Sequence, residues 1–199
     1  MTIHAVIFDI GGVLNKVQQT DSLRAWEARL GLADGQLAPL VFNNPITRLA
    51  SLGQATPEDV WQFVNQQLHL PPAEFKQLQA DVWSSYWWDS DLLAFIRRLR
   101  PRCKTAALSD AWVGAREQMK DIINGDTFDV IVYSSEEGIV KPDPEIFRRT
   151  LQRLGVPPSD AIFVDDKPRN AEAAQALGMH GIVFTDSAKV RQQILRMLE

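Results

Sequence analysis

The hydrophobic pattern near the N-terminus is a short, unbroken apolar run. Residues 5–8 (AVIF) are all apolar, Asp9 follows directly, and Gly11 and Gly12 come soon after. A continuous apolar run of this length, ended by glycine, is typical of a buried β-strand. Buried strands of this kind belong to parallel sheets that are covered on both faces. Ligands of such sheets bind beyond the carboxyl ends of the strands, which is where we expect Asp9 to lie.

The pattern between residues 16 and 88 has helical periodicity and contains no convincing strand. One helix is predicted from Asp21 to about Gly31, and another begins at residues 56–59 (TPED). The second start combines a threonine cap, a proline at the first helical position and an acidic residue three positions after the cap. Five of the six tryptophans fall in this segment, and large rings at helical spacing mostly belong to a core, with some able to line a substrate mouth.

From residue 89 onward, helical segments alternate with short apolar strands. Strands are predicted at residues 105–108, 128–133, 161–164 and 181–184. The intervening helices include one through Val113, Met119 and Ile122, and Ser187 is predicted to cap the last helix. Alternation at this spacing produces βαβ units and a parallel sheet. The predicted fold class is therefore α/β, with residues 1–15 and 89–199 forming the sheet domain and residues 16–88 a helical cap inserted after the first strand.

The composition limits the classes of function. The chain has 199 residues, of which 45% are hydrophobic and 23% charged, and its formal net charge is −4. An acidic balance argues against binding to nucleic acid or to an anionic membrane. The single cysteine, Cys103, supports neither a disulfide framework nor a cysteine metal cluster. No apolar stretch approaches the ~20 residues of a membrane span, and we predict a cytoplasmic protein. We expect its partner to be a small molecule. The oligomeric state is left open.

The polar residues of interest follow the predicted strands. Asp9, Ser109 and the pair Asp165 and Asp166 come at strand ends, and Lys141 lies a few residues past the strand at 128–133. The carboxyl ends of parallel strands meet at one edge, so these residues are expected to converge there. Three carboxylates in one crevice repel each other, and Mg²⁺ is the natural compensating cation. Lys141 and Ser109 are suited to phosphate oxygens, and a carboxylate held beside a metal-bound phosphate is placed for attack on phosphorus.

This order of residues resembles the haloacid dehalogenase superfamily, most of whose members are Mg²⁺-dependent phosphohydrolases. The resemblance rests on four motifs in the family's order, residues 8–14 (FDIGGVL), 108–110 (LSD), 140–147 (VKPDPEIF) and 163–170 (FVDDKPRN). It implies a Rossmann-like sheet and a small helical cap. It also implies catalytic roles for Asp9, as the nucleophile, and for Lys141.

The resemblance further implies how the site binds its ligands. The phosphate would be bound by Ser109, Asp110, Lys141 and Gly12. The Mg²⁺ ligands would be Asp9, the Gly11 backbone carbonyl and Asp166, with Asp165 beside it.

Two residues depart from the family pattern. Most family phosphatases carry a second aspartate two residues after the nucleophile as general acid and base, and Gly11 stands there in this chain. The backbone carbonyl survives this change, but the proton donor for the leaving oxygen is lost. Positioned acid catalysis typically contributes ~10²–10⁴-fold, so substrates with easily departing groups are expected. Asp110 stands where many relatives have asparagine and adds a negative charge near the phosphate.

Three hypotheses follow for the function. The first is a Mg²⁺-dependent phosphomonoester hydrolase acting on a small, sugar phosphate-like substrate through an aspartyl-phosphate on Asp9. The second is a dehalogenase or phosphonate-type hydrolase of the same superfamily, for which the phosphonate enzymes would need a Schiff-base lysine such as Lys16 or Lys76. The third is a catalytically weak or inactive metal-binding protein with an interaction role, which the glycine at position 11 motivates.

Overall fold

The computed structural model describes residues 2–199. Its helices and strands, in chain order, are β1 (Ala5–Phe8), β2 (Asn15–Val17), α1 (Asp21–Leu30), α2 (Leu37–Phe42), α3 (Pro45–Ser51), α4 (Pro57–Leu68), α5 (Pro72–Ser84), β3 (Tyr86–Trp88), α6 (Ser90–Leu99), β4 (Lys104–Ser109), α7 (Ala115–Met119), β5 (Val130–Tyr133), α8 (Ser134–Glu137), α9 (Pro144–Leu154), β6 (Ala161–Asp165), α10 (Pro168–Ala176), β7 (His180–Val183) and α11 (Ser187–Met197).

Five of the strands form a parallel sheet in the order β5-β4-β1-β6-β7. The central strand β1 is apolar on both faces because both faces are covered by helices. Ala5 and Ile7 pack in a core cluster with α9 and α10, and Val6 and Phe8 pack in a second cluster with α6 and α11. The α/β fold predicted from the apolar runs is confirmed.

The helices α1 to α5 enclose a third apolar cluster of their own. Its buried members are Leu23, Trp26, Leu37, Val41, Trp61, Val64, Leu70, Leu78 and Val82. The chain enters this region through β2 and leaves it through β3, and the two strands pair antiparallel. The expectation of no strand in residues 16–88 is wrong at these two ends. The boundaries at residues 15–16 and 88–89 fall at this ribbon, and the division into two domains remains a proposal.

Helix starts are predicted well where a cap is present. Thr56 and Asp59 form a reciprocal capping box at the start of α4, and the Asp89 side chain accepts from the Leu92 N–H at the start of α6. The last helix is capped by Asp186 rather than by Ser187, whose hydroxyl instead donates to Asp89.

Short helices account for the other differences. The helix expected through Val113, Met119 and Ile122 is reduced to α7, because Gly114 is in the left-handed conformation and the Ile122 and Ile123 N–H groups both turn back to the Met119 carbonyl. The helices α2, α3 and α8, of four to seven residues, are not distinguished by periodicity. Among the helices of residues 2–199, none combines the length and the apolar character that crossing a membrane requires.

Candidate active site

Three neighbouring strands carry polar residues to one edge of the sheet. Asp9 follows Phe8 of β1, whose register partners are Ala107 of β4 and Val164 of β6. Ser109 and Asp165 end those two strands, so the three residues meet at one edge of the sheet, with Asp9 level with Asp165 and one position before Ser109. All three residues are buried, with exposures of 4%, 5% and 0% for Asp9, Ser109 and Asp165. The predicted convergence at the carboxyl ends of the strands is therefore observed.

Lys141 brings a buried ammonium group between two of these carboxylates. Its Nζ lies 2.8 Å from Asp9 Oδ1 and 2.7 Å from Asp165 Oδ2, and it donates to the Leu108 carbonyl at 3.3 Å. Burial alone would lower the pKa of Lys141, but the surrounding carboxylates outweigh burial and raise it. The backbone N–H of Lys141 donates to Asp110 Oδ1 at 2.9 Å. One cation therefore holds both strand-end carboxylates in place.

The two carboxylates paired with Lys141 differ in their other partners. Asp165 also accepts from the Lys167 N–H at 2.8 Å and from Asn170 Nδ2 at 3.0 Å to each oxygen. Burial raises the pKa of Asp165, but the charge of Lys141 and these hydrogen bonds outweigh it, so the pKa is lowered. For Asp9, burial outweighs the attraction of Lys141 and raises the pKa to about 7. The pKa values of the two carboxylates paired with Lys141 are therefore shifted in opposite directions.

The two oxygens of Asp9 have different surroundings. Oδ1 accepts from the Ile10 N–H at 2.7 Å and faces Lys141. Oδ2 has no hydrogen-bond partner within residues 2–199. Ser109 is similar, since its hydroxyl makes no hydrogen bond to any described residue although the residue is buried. An oriented carboxylate with one free oxygen, next to a free hydroxyl, is an arrangement that can attack and bind a ligand.

Asp166 supplies a buried oxygen without a partner. Its Oδ1 is buried and makes no hydrogen bond in the described part of the chain. Burial and then the charge of Asp165 raise its pKa. One carboxylate oxygen from each of Asp9, Asp165 and Asp166 lies within 4.8 Å of the others. A hard cation such as Mg²⁺ takes oxygen ligands of this kind, so the residues present fit the predicted metal.

The turn after β1 requires a glycine at position 12 but not at position 11. Gly12 has a φ of +82°, and a Cβ at this position would lie 2.6 Å from Asp166 Cγ, so the backbone must approach the carboxylate closely here. The Gly12 N–H donates to the Asn15 carbonyl at 2.8 Å, so this N–H is already engaged and does not point to a phosphate. A Cβ at Gly11 would meet nothing within 4 Å. The N–H groups of Val13, Leu14 and Asn15 all donate to the Ile10 carbonyl. The Gly11 carbonyl accepts none of these hydrogen bonds.

Two cavities open over this edge of the sheet. The first, which we call the polar cavity, has a volume of about 530 Å³ and is lined by Asp9, Ser109, Lys141 and Asp166 together with the cations Arg48, Lys167 and Arg169. The second, the aromatic cavity, has a volume of about 300 Å³ and is lined by the rings of Phe42, Trp83, Tyr86, Trp88 and Trp112. Gly11, Ser109, Asp110 and the rings of Phe42, Tyr86 and Trp112 line both cavities, so the two adjoin. Burial raises the pKa of Asp110 at this junction, against the attraction of Lys141.

Some of these residues are missing from the sequence predictions. Asn170, which holds both oxygens of Asp165, was recognised only as part of a motif, although an amide one helical turn after an acidic pair is a usable signal. Trp112 comes three residues after Ser109 and is the one tryptophan outside the cap segment. Its ring lies 5.7 Å from that of Phe42, a contact between distant segments that periodicity does not indicate.

Comparison with known proteins identifies the family. A family model described as haloacid dehalogenase-like hydrolase matches residues 3–178. The chain belongs to this family. It is therefore a hydrolase with the Rossmann-like sheet that the four motifs predicted.

Individual relatives agree with this assignment. The hydrolase is 27% identical to a sesquiterpene phosphatase of Aspergillus oryzae over 99% of this chain and 97% of that protein. It is 56% identical over 55 residues to acyl-CoA dehydrogenase family member 10 of Mus musculus, which is 28% of this chain and only 5% of that protein. A family enzyme of Bacteroides thetaiotaomicron, solved in complex with magnesium and inorganic phosphate, superimposes with a TM-score of 0.74 at 20% identity, covering 92% of this chain and 94% of that one. At this identity the structural likeness concerns the fold.

Proposed function

We propose that the protein is a Mg²⁺-dependent phosphomonoester hydrolase that acts on a small organic phosphate through an aspartyl-phosphate on Asp9. The observation that carries this proposal is the environment of Asp9. Its Oδ1 is held by Lys141 and the Ile10 N–H, while Oδ2 is free in a cavity that also contains the unpartnered Ser109 hydroxyl. A carboxylate fixed through one oxygen and free at the other is suited to nucleophilic attack.

In the proposed reaction, Asp9 Oδ2 attacks phosphorus while the ester oxygen departs. Water then attacks the phosphorus of the aspartyl-phosphate, which releases phosphate and restores the carboxylate. Ser109 donates to a phosphate oxygen. The three N–H donors of Lys141 face Asp9, Asp165 and the Leu108 carbonyl, so Lys141 acts by orienting Asp9 and by its charge.

Mg²⁺ would be held by Asp9, Asp166 and the Gly11 carbonyl, with Asp165 beside it. When bound, it neutralises charge on the phosphate and on these carboxylates. The buried Asp166 oxygen without a hydrogen bond supports this assignment. Further support comes from the Bacteroides enzyme, which was solved with magnesium and phosphate, and from the relative named as a phosphatase.

The glycine at position 11 sets the range of leaving groups. No carboxyl is present there to protonate the departing oxygen, so groups that leave as stable anions are favoured. Because a side chain at this position meets no neighbour within 4 Å, Gly11→Asp should fold as the native protein does. We expect this variant to hydrolyse alkyl phosphates on the order of 10²-fold faster, and aryl phosphates little changed. Equal effects on both classes would contradict the assignment.

The central test combines a phosphate-release assay with Asp9→Asn. The native protein with Mg²⁺ should release phosphate from acetyl phosphate and aryl phosphates, and EDTA should stop the release. Asp9→Asn should retain the fold, measured by circular dichroism and thermal unfolding, and lose turnover. Activity that persists in Asp9→Asn would remove Asp9 from the mechanism. Absence of Mg²⁺-dependent release across the panel, with intact Mg²⁺ binding, would favour the non-catalytic hypothesis.

The alternative chemistry at carbon or at a P–C bond has less support. Lys16 is exposed and its ammonium lies 5.1 Å above the Phe184 ring, while Lys76 is exposed on α5. Neither lysine lines the polar or the aromatic cavity, so neither is placed to form a Schiff base with a ligand there. A dehalogenase does not need the acidic pair Asp165 and Asp166. Release of halide without metal would revive that hypothesis.

A further inference from the structure

The aromatic cavity adjoins the proposed phosphate site, shares three rings with it and differs from it in its charged residues. Among its lining residues in the described chain, Asp110 is the only charged one, whereas the polar cavity contains three cations besides Lys141. A second anionic group or a strongly hydrated group would lose its water in the aromatic cavity without gaining ionic partners. The organic part of a ligand that enters it must therefore be largely apolar.

The rings that form this cavity brace one another across the two halves of the molecule. Phe42 lies 5.7 Å from Trp112 and 5.8 Å from Tyr86, and Trp83 stacks on Tyr86 at 5.6 Å. Phe42, Trp83 and Tyr86 come from the helical segment and from β3, whereas Trp112 follows β4 of the large sheet. Rings held in mutual contact form a wall that exists before a ligand arrives, which is how small-molecule sites are usually built.

One of these rings is left unusually open. Trp83 is 41% exposed, although it lines the cavity next to four other aromatic side chains. Its ring contacts those of Phe42, Tyr86 and Trp112 and still keeps this exposed apolar surface. Covering such a surface removes apolar area from water and is favourable.

Gly11 joins the two cavities. It lines both, and a Cβ there would enter open space. An aspartate in its place would add a second carboxylate beside Asp110 at the mouth of the aromatic cavity. With glycine at position 11, Asp110 is the only charged residue among those that line both cavities.

We propose that the substrate is the monophosphate of an apolar phenol, or of another apolar hydroxyl compound that leaves readily as an anion, whose hydrocarbon portion lies in the aromatic cavity while its phosphate occupies the polar cavity. This proposal rests on the phosphatase function proposed above. It replaces the expectation of a sugar phosphate-like substrate, because apolar and aromatic residues form most of the lining, in which Asn15, Ser109, Asp110 and Gln118 are the polar members besides Tyr86.

The test compares substrates whose leaving groups have the same chemistry. Phenyl phosphate, 2-naphthyl phosphate and O-phosphotyrosine all release a phenol, but they differ in apolar area and charge. We expect kcat/KM for 2-naphthyl phosphate to exceed that for phenyl phosphate about tenfold, the gain for roughly 50 Å² of additional apolar surface leaving water. O-phosphotyrosine should be poorer than phenyl phosphate. Equal values for the three would overturn the proposal.

Two exposed tryptophans of the same segment provide a matched pair of variants. Trp83→Ala removes a ring of the cavity, whereas Trp87→Ala removes a ring that is 43% exposed and lines neither cavity. The preference for 2-naphthyl over phenyl phosphate should fall to about twofold in Trp83→Ala, mainly through KM, and stay unchanged in Trp87→Ala. A preference that survives in Trp83→Ala contradicts the proposal.

Acetyl phosphate and a binding measurement separate this proposal from the phosphatase function. Acetyl phosphate carries almost no apolar group, so its Mg²⁺-dependent hydrolysis tests the function alone. Calorimetric binding of 2-naphthyl and phenyl phosphate to Asp9→Asn with Mg²⁺ tests the cavity without turnover. If acetyl phosphate is not hydrolysed but 2-naphthyl phosphate binds about tenfold tighter, the phosphatase function fails and the apolar site stands. If acetyl phosphate is hydrolysed and the two aryl phosphates bind equally, the apolar site is wrong and the function stands.

Discussion

Gly12→Ala should weaken Mg²⁺ binding without changing any metal ligand. The added Cβ would lie 2.6 Å from Asp166 Cγ, whereas carbon atoms in contact are ~3.5–4.0 Å apart. The carboxylate must therefore move by about 1 Å, well beyond the ~0.2 Å within which metal–ligand distances are normally held. Loss of a correctly placed ligand should weaken Mg²⁺ binding at least about 10- to 100-fold, the range found when even the partners of ligands are altered.

The backbone strain of this substitution needs its own control. Alanine at a positive φ costs about 1–2 kcal/mol wherever it stands. Gly35 has a φ of +80°, its Cβ would meet nothing within 4 Å, and it lies outside both cavities. Gly35→Ala should therefore lose the same free energy of unfolding as Gly12→Ala from strain, yet bind Mg²⁺ as the native protein does.

Isothermal titration with Mg²⁺, together with the rise in Tm on adding Mg²⁺, measures both effects. The native protein and Gly35→Ala should be stabilised equally by the metal, and Gly12→Ala much less. A folded Gly12→Ala protein with native Mg²⁺ affinity would refute the placement of Asp166 as a ligand. Equal loss of affinity in both variants would show that strain, rather than contact with Asp166, is the cause.

Three further predictions concern the charges of the site. Lys141→Met leaves Asp9 and Asp165 buried without a cation, so the free energy of unfolding measured in urea should fall by about 3–5 kcal/mol. A fall of less than about 1 kcal/mol would contradict the buried pairing. Because the pKa of Asp9 is about 7 when folded and ~3.9 when unfolded, its neutral form adds stability at low pH that is lost as the pH rises through 7 without metal. Mg²⁺ must displace that proton, so the Mg²⁺ affinity measured by calorimetry should fall about tenfold for each pH unit below 7 and be constant above pH 7. An Mg²⁺ affinity that does not change between about pH 5.5 and 8 would contradict this prediction. Asp110→Asn removes a negative charge beside the proposed phosphate position but keeps an oxygen that can accept from the Lys141 N–H. The KM from steady-state kinetics should therefore be roughly threefold to tenfold lower than that of the native protein, and a higher KM would contradict this prediction.

The strands and the strand-end residues are predictable because their signals are local. An apolar run such as residues 5–8 can be satisfied only by burial on both faces, and a parallel sheet then brings Asp9 and Asp165 to one edge. Helix starts with capping residues, such as Thr56 before α4, are local in the same way. These features need no knowledge of how distant segments pack.

The division of roles within the site depends on contacts that no local pattern contains. Asp9 and Asp165 both come at the ends of apolar runs, so the local pattern does not tell them apart. The positions of Asn170 and Lys141 show that both oxygens of Asp165 are hydrogen-bonded, whereas Asp9 is held through Oδ1 alone. The aromatic cavity is a stronger case, since Phe42 and Trp112 meet only after the helical segment has folded back over the sheet. Periodicity gives no weight to such a contact, so the apolar character of the site emerges from the structure alone.

The ribbon formed by β2 and β3 has a consequence for how such a molecule can diversify. Asn15 pairs with Trp88 and Val17 with Tyr86, so the chain departs from the sheet domain and returns to it at adjacent points. Segments whose ends lie together can be lengthened, shortened or exchanged with little disturbance to the rest of a protein. Asp9, Asp165 and Asp166 lie outside the segment between the two ribbon strands, whereas Phe42 and Trp83 of the aromatic cavity lie within it. Changes between residues 18 and 85 can therefore alter these two rings of the aromatic cavity while the carboxylates at the edge of the large sheet stay as they are.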